Sequence, residues 1–407
     1  MVYDKLENRD AKDREDALFT ALSNQLIHAK TNAPHFAKLL ADIDIGAINT
    51  RAGLATLPIT RKSELIDLQA AMPPFGGLNA TPVGGLANIF VSPGPIYDPQ
   101  GFGDDWWRSA RALYAAGFRK NDVVHNTFSY HLTPAGAMFQ SGLHALGCCV
   151  IPGGVGQTEM QLATIAAIKP SGYVGTPSFL KLLLERADEL KINISCIKRA
   201  LVSGEAFLPA MHAYLSARGI TAMQCYGTAD LGIVAYETTA REGLVVEENV
   251  IVEIVRPGTG DTVPEGEVGE VVVTTFNKDY PLVRFATGDL SAVLPGASPC
   301  GRTNMRIRGW LGRADQTTKV RGMFIHPQQI AAVLKRHPQI SRACLMVSHD
   351  ADQQDQMVLR CEVSGEFSAQ VVAEDLRDLT KLRGSVEQVA VGVLLNNGKV
   401  IEDLRGG

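Results

Sequence analysis

The chain has 407 residues, 45% of them hydrophobic and 20% charged, with a formal net charge of −4. That length exceeds what one hydrophobic core ordinarily serves and calls for two or three domains, while the charge gives no electrostatic footprint for nucleic acid or an anionic membrane. No apolar run reaches the roughly 18 residues of a membrane-spanning helix, and the charged opening lacks the apolar core of a signal peptide, so a cytoplasmic location is expected.

Leu18, Leu22, Leu26 and Ile27 fall at helical spacing, and Pro34 stops that helix. A short helix is expected over 35–41. Thr60 is a candidate N-cap for the next, with Ser63 and Glu64 in its first turn. ANIFVS, ending at Ser92, reads as a strand, and the Gly- and Pro-rich stretch 92–105 as a loop. Strands and helices then alternate, with VVHNTFSY, CCVIPGG, GYVGTP, IKRALVSGE and TAMQCYG as the strands. Short-spaced alternation of this kind marks an open α/β domain, a parallel sheet covered by helices.

After residue 231 the pattern changes to strands joined by Gly- and Pro-rich turns, among them VIVEIV, GEVVVTT and VRFATGDLSAVL. These read as an antiparallel subdomain. The basic, loop-rich segment 298–315 suggests a boundary, giving an N-terminal region 1–312 and a C-terminal α+β domain 313–407 large enough to fold alone. Seven scattered cysteines without a CxxC read as small hydrophobes in a reducing compartment, and no residues have metal-ligand spacing.

Open α/β sheets bind ligands at the C-terminal ends of their strands. Ser203-Gly204-Glu205 leaves one such end, and Glu205 is a site candidate there or part of a plain turn. Tyr226, Thr228 and Asp230 leave the next. That set can stack on a base, hydrogen-bond a phosphate or carboxylate and hold Mg²⁺, or it can be a polar turn. Asp289, after Thr287-Gly288, suits a pair of ribose hydroxyls, or is a turn aspartate. Arg313 can reach the same sugar or be a solvated linker residue, and Asp315 can absorb a domain rotation or cap a turn. Lys399, judged from its surroundings in the chain, reads as a solvated loop charge. The loop 92–99 makes a poor phosphate cradle. Pro93 and Pro95 supply no N–H, Gly94 is its single glycine, no lysine is present, and Asp98 repels phosphate.

Taken together, these segments resemble the phenylacetate–CoA ligase family, within the AMP-forming acyl-CoA synthetases, adenylation domains and luciferases. The resemblance covers roughly residues 3–402. It is carried by NAPHFAKLLADIDI and LPITRKSEL near the start, then by CCVIPGGVGQTEMQLATIAAIKPSGYVGTPSFL, TAMQCYGTADLG, DYPLVRFATGDL and SPCGRTNMRIRGWLGRADQTTKVRGMFIHPQQI. It implies that ATP and a carboxylic acid give an acyl-adenylate, which coenzyme A then attacks after the C-terminal domain rotates. Tyr226 would stack near adenine, with Ser203, Gly204 and Glu205 at its edge. Gly227 would line the acyl pocket and Thr228 contact the adenylate phosphate. Asp289 would hold the ribose with Arg313 assisting, Asp315 would be the hinge, Asp230 a Mg²⁺ ligand, and Lys399 the lysine that stabilises the adenylation transition state.

Three departures accompany the resemblance. The family's phosphate loop, SSGTTGKP, is here Ser92-Pro93-Gly94-Pro95-Ile96-Tyr97-Asp98-Pro99. Asp230 stands where the family has Glu. Ser298-Pro299-Cys300-Gly301-Arg302 replaces CPCGR, and 236–249 has neither Cys nor His, so no zinc is expected. The implied function is an AMP-forming acid–CoA ligase for an aromatic or medium-size acid. Its expected pocket runs along Tyr130–Pro134, Gly153 and Gly154, with Gly136, Gly142 and Ala145 leaving room. An adenylate-forming enzyme with another acceptor, a non-catalytic adenylate-binding relative, and a homodimer stay open.

Overall fold

The structure is a computed structural model that describes residues 2–92, 95–314, 318–321, 323–349, 354–395 and 399–405. It divides into two compact units. The first comprises Met1–Val252, Val273–Thr287 and Leu294–Trp310, and the second Glu253–Val272, Gly288–Val293 and Leu311–Gly407. The chain passes between them inside three strands, Val250–Val255, Val268–Thr275 and Phe285–Leu294, and once more between Trp310 and Leu311. Among the described residues no helix is long and apolar enough to cross a membrane.

The first unit opens with helix Ala11–Asn32, capped by the Asp10 carboxylate, which accepts from the Lys12 N–H at 2.8 Å. Leu18, Leu22, Leu26 and Ala29 bury one face, and Pro34 starts the next helix, Pro34–Leu39. Thr60 is not a helix cap. Thr60 and Arg61 form a short strand parallel to Phe285 and Ala286, and Arg61 precedes the 3₁₀ turn Lys62–Glu64 that leads into helix Leu65–Ala71. Pairing with the sheet takes Thr60 away from the helix end, and its hydroxyl meets His35 Nε2 at 3.2 Å.

The five expected strands form a parallel array in the order Cys149–Pro152, Val123–Asn126, Gly172–Gly175, Arg199–Val202, Thr221–Thr228. Both faces are covered, as an all-parallel array requires. Val174, Leu201 and Met223 meet Leu113, Met138, Phe139 and Leu143 of helices Ala110–Ala115 and Ala135–Ala145. The alternate residues Tyr173, Ala200, Val202 and Ala222 meet helices Thr158–Ile168, Pro177–Leu190 and Pro209–Ala217 through Leu162, Leu180 and Leu215. The period-two alternation thus sorts one strand set onto two cores. Strand Thr221–Thr228 then turns back into Gly232–Glu237, the first antiparallel pair of this sheet, and Leu244–Val246 and Arg306–Ile307 continue that half.

The stretch 92–105 is not all loop. Ile96–Gln100 is a strand that pairs antiparallel with Asn88–Ser92. Pro99 is tolerated because this is an isolated two-stranded ribbon in which an outward edge needs no donor.

In the second unit, strands Ser385–Val389, Asp355–Val363, Ile340–His349 and Ile401–Asp403 form one sheet in that order. Helices Pro327–Arg336 and Ala369–Thr380 pack Ile330, Val333, Val372 and Leu376 against its Leu345, Val347, Leu359 and Cys361. A separate hairpin, Thr318–Val320 with Met323–Ile325, precedes the first of these helices.

Candidate active site

The parallel strands all end at one edge, where Asn126, Gly175, Val202 and Thr228 close successive strands. The register sets Gly175 beside Val202 and Val202 beside Gln224, so the segments Ser203–Glu205 and Tyr226–Asp230 leave neighbouring strand ends. Ser203 Oγ donates to the Cys225 carbonyl at 2.9 Å. Gly204 sits at φ +83°, a left-handed conformation that glycine adopts without strain. Glu205 Oε1 accepts from the Ser178 N–H at 2.6 Å, in the first turn of helix Pro177–Leu190, where an anion is favoured.

Tyr226 is buried, and its hydroxyl donates to Thr287 Oγ1 at 3.2 Å. The turn from Thr221–Thr228 into Gly232–Glu237 carries a bulge after Tyr226. A Cβ on Gly227 would come within 2.5 Å of the Gly232 carbonyl oxygen, so the close backbone approach requires glycine there. Thr228 Oγ1 accepts from the Leu231 N–H at 3.2 Å and shapes the turn that presents Asp230.

Asp230 is buried, and Lys62 forms an ion pair with its Oδ2. Asp98 lies beside it, 1% exposed, and so does Tyr280. Burial and the Asp230 carboxylate push the Asp98 carboxyl well above the usual range, against the opposing pull of Ser92 and Lys62. Burial, with Asp230 and Asp98 adding to it, likewise raises the Tyr280 phenol. Sequence reasoning did not single out Lys62 or Tyr280, and it turned Asp98 toward phosphate. The available signal was the alternation in Ile96–Gln100, which sends Ile96 and Asp98 inward and Tyr97 outward once the segment is recognised as a strand.

The room expected beside Gly136 and Gly142 is filled. A Cβ on Gly136 would lie 2.6 Å from the Ser129 carbonyl oxygen, and one on Gly142 would lie 2.0 Å from Ser109 Oγ and 2.9 Å from the Ala110 nitrogen. These glycines let helix Ala135–Ala145 pack closely. Gly142→Ala is therefore expected to destabilise the chain by about 1–2 kcal/mol, overpacking outweighing the gain in helix propensity. A urea midpoint equal to that of the wild type would contradict this. At the neighbouring strand end His125 is buried, meets Gln161 Oε1 at 2.7 Å, and is held below its ordinary pKa by burial.

The remaining candidates lie in the second unit. Asp289 and Arg313 form an isolated bridge and an ion pair, Nη1 to Oδ1 at 3.1 Å. A Cβ on Gly288 would come within 2.7 Å of Arg313 Nη2, so Gly288 makes room for that arginine. Lys399 Nζ donates to Glu402 Oε1 at 2.9 Å. It lines a cavity of about 600 Å³ with Arg256, Lys335 and Arg342. Asp315 lies outside the described residues, as do Pro93 and Gly94. Among the described residues no group of three or more His, Cys, Asp or Glu side chains could hold a metal ion.

Residues 106–277 match the family described as AMP-binding enzyme. The phenylacetate–coenzyme A ligase of Aromatoleum evansii is 30% identical over 356 residues, 83% of this chain and 79% of that relative. The enzyme of that name from Thermus thermophilus is 30% identical over 374 residues, 88% and 83% of the two chains. Among solved structures, an open conformation of a 2-hydroxyisobutyryl-CoA ligase, in complex with 2-HIB-AMP and CoA, superposes with a TM-score of 0.73. It is 24% identical, covers 96% of this chain and 91% of its own, and bears on the fold alone. The identity and coverage of the ligase relatives make this chain a member of the phenylacetate–coenzyme A ligase family.

Proposed function

We propose that the chain is an AMP-forming acid–CoA ligase that converts an aromatic or medium-size carboxylic acid and ATP to an acyl-adenylate and pyrophosphate, then transfers the acyl group to coenzyme A. The observation that carries this reading is the adjacency of Ser203–Glu205 and Tyr226–Asp230 at one strand-end edge in a chain of this family. The carboxylate of the acid attacks the α-phosphorus of ATP and the bond to the bridging oxygen breaks, releasing pyrophosphate. The CoA thiol then attacks the acyl carbon, loses its proton, and releases AMP.

Tyr226 stacks on adenine, with Ser203, Gly204 and Glu205 at the base edge. Gly227 borders the acyl group, and the Thr228 hydroxyl contacts the adenylate phosphate. Asp289 accepts from the ribose hydroxyls with Arg313 beside it, and Lys399 stabilises the charge that develops between carboxylate and phosphate. The hinge for rotation of a C-terminal domain from residue 313 onward is Asp315. Mg²⁺, if carried on the ATP phosphates, would supply charge neutralisation there. Asp230 does not fit as its ligand in this geometry, because the side chain is buried and Lys62 already holds Oδ2.

Incubating the protein with ATP, labelled pyrophosphate and a panel of aromatic and medium-chain acids is expected to give acid-dependent exchange, and adding CoA a thioester and AMP. Exchange without thioester would move the reading to an adenylate-forming enzyme with another acceptor. No exchange with any acid would leave the non-catalytic adenylate-binding reading.

A further inference from the structure

The position that carries lysine in the family's phosphate-loop pattern is Asp98, and its side chain is inside the protein. The strand that holds it is gripped at two successive residues. At Tyr97 the backbone is clamped by Gln69 of helix Leu65–Ala71, whose Nε2 donates to the Tyr97 carbonyl and whose Oε1 accepts from the Tyr97 N–H, each at 2.9 Å. At Asp98 the side chain enters the cluster of Asp230, Lys62, Tyr280 and Ser92.

The charges in that cluster decide its state. Two ionised carboxylates facing one ammonium would leave an uncompensated negative charge in the interior, which is strongly unfavourable. Among the described residues neither Asp98 oxygen, nor Asp230 Oδ1, nor the Tyr280 hydroxyl has a partner in good hydrogen-bonding geometry, yet Asp230 and Ser92 are close enough to act on the Asp98 carboxyl. Of the two carboxyls Asp98 is the one that Lys62 does not pair with and the one raised by burial and by its neighbour, so the proton resides on Asp98. A protonated carboxyl is a donor, and the carboxylate beside it an acceptor.

We infer that Asp98 is a positioning residue for the nucleotide site: its buried carboxyl ties the hairpin of Asn88–Ser92 and Ile96–Gln100 to the Lys62–Asp230 ion pair. The tether links the phosphate-loop hairpin to the segment that begins at Tyr226. Its consequence for catalysis rests on the adenylate-forming reading above. It also means that Asp98→Lys, which restores the family's residue, does not rebuild a phosphate loop but brings a second ammonium to Lys62 in the interior.

The test uses the full chain and three variants, Asp98→Asn, Asp98→Ala and Asp98→Lys. Asparagine keeps the shape and the neutral donor of the protonated acid, so its KM for ATP in pyrophosphate exchange is expected within about threefold of wild type. Asp98→Ala is expected to raise that KM about tenfold or more while thioester formation from a preformed acyl-adenylate keeps its rate. Asp98→Lys is expected to show the lowest urea midpoint of the three. Asp98→Asn as impaired as Asp98→Ala would overturn the proposal, because the ionised group would then be what acts. Equal losses for ATP, acid and thioester steps would overturn it in favour of a general structural role, and tighter ATP binding by Asp98→Lys would show a side chain that faces phosphate. If the wild type shows no exchange, the adenylation reading fails by itself. The urea midpoints still judge the tether: Asp98→Asn near wild type supports it, and Asp98→Asn as unstable as Asp98→Lys overturns it.

Discussion

Lys399→Ala is expected to lower the rate of adenylate formation by about 10²–10³-fold, the usual effect of removing one group aimed at transition-state charge. Thioester formation from a preformed acyl-adenylate should be spared, because in the role proposed for it the lysine serves the first half-reaction only and would leave the site on rotation of a C-terminal domain. The ion pair of Lys399 with Glu402 does not stand in the way. Both side chains are partly exposed, 48% and 26%. Pairs of that kind contribute about 0–1 kcal/mol, less than the roughly 2.7–4 kcal/mol expected of a group in the proposed transition-state role. Glu402→Gln should accordingly change the exchange rate little. The measurements are pyrophosphate exchange and, separately, CoA capture of synthetic acyl-adenylate. Equal loss in both assays would remove Lys399 from the role proposed for it.

The parts of the molecule that were legible in the sequence are those fixed by local pattern. The parallel strands are short apolar runs, each closed by Gly, Pro or a polar turn, and helices separate them; Val174 and Tyr173 then sort to opposite faces without further information. What escaped the sequence is set by partners far along the chain. Thr60 looks like a cap until Phe285 takes it into the sheet. Ile96–Gln100 reads as loop because Pro95 and Pro99 flank Tyr97 and Asp98, and it becomes a strand through Asn88–Ser92 and the grip of Gln69. Ile401–Asp403 is a strand only because Ile340–His349 offers it an edge. At the site, Lys62 and Asp230 stand 168 residues apart, and neither residue alone signals the other. Gly142 shows the converse error: a small residue read as empty space is a contact with Ser109.

ATP is expected to bind this protein no more than about tenfold more tightly than AMP, with or without Mg²⁺. In the proposed site the adenosine half keeps Tyr226 and Asp289, so AMP and a non-hydrolysable acyl-adenylate mimic should bind well. The β- and γ-phosphates meet a segment with few donors. Pro95 has no N–H, the Tyr97 N–H is spent on Gln69, and Ile96 lies in strand pairing with Ser92. Asp98 brings no cation, and Lys62 is committed to Asp230. Each charge-assisted bond to phosphate contributes about 1.5–3 kcal/mol, so two missing ones remove about 3–6 kcal/mol of the affinity a complete loop provides. Adenylation should then be slow at low ATP and recover as ATP rises, since the loss falls on binding the polyphosphate. Calorimetric titration of AMP, ATP and the acyl-adenylate mimic decides the matter. ATP tighter than AMP by about a hundredfold, near 2.7 kcal/mol, would mean that the hairpin cradles phosphate despite its prolines. Failure of all three ligands to bind would mean that the chain has kept the adenylate-forming scaffold without its nucleotide site.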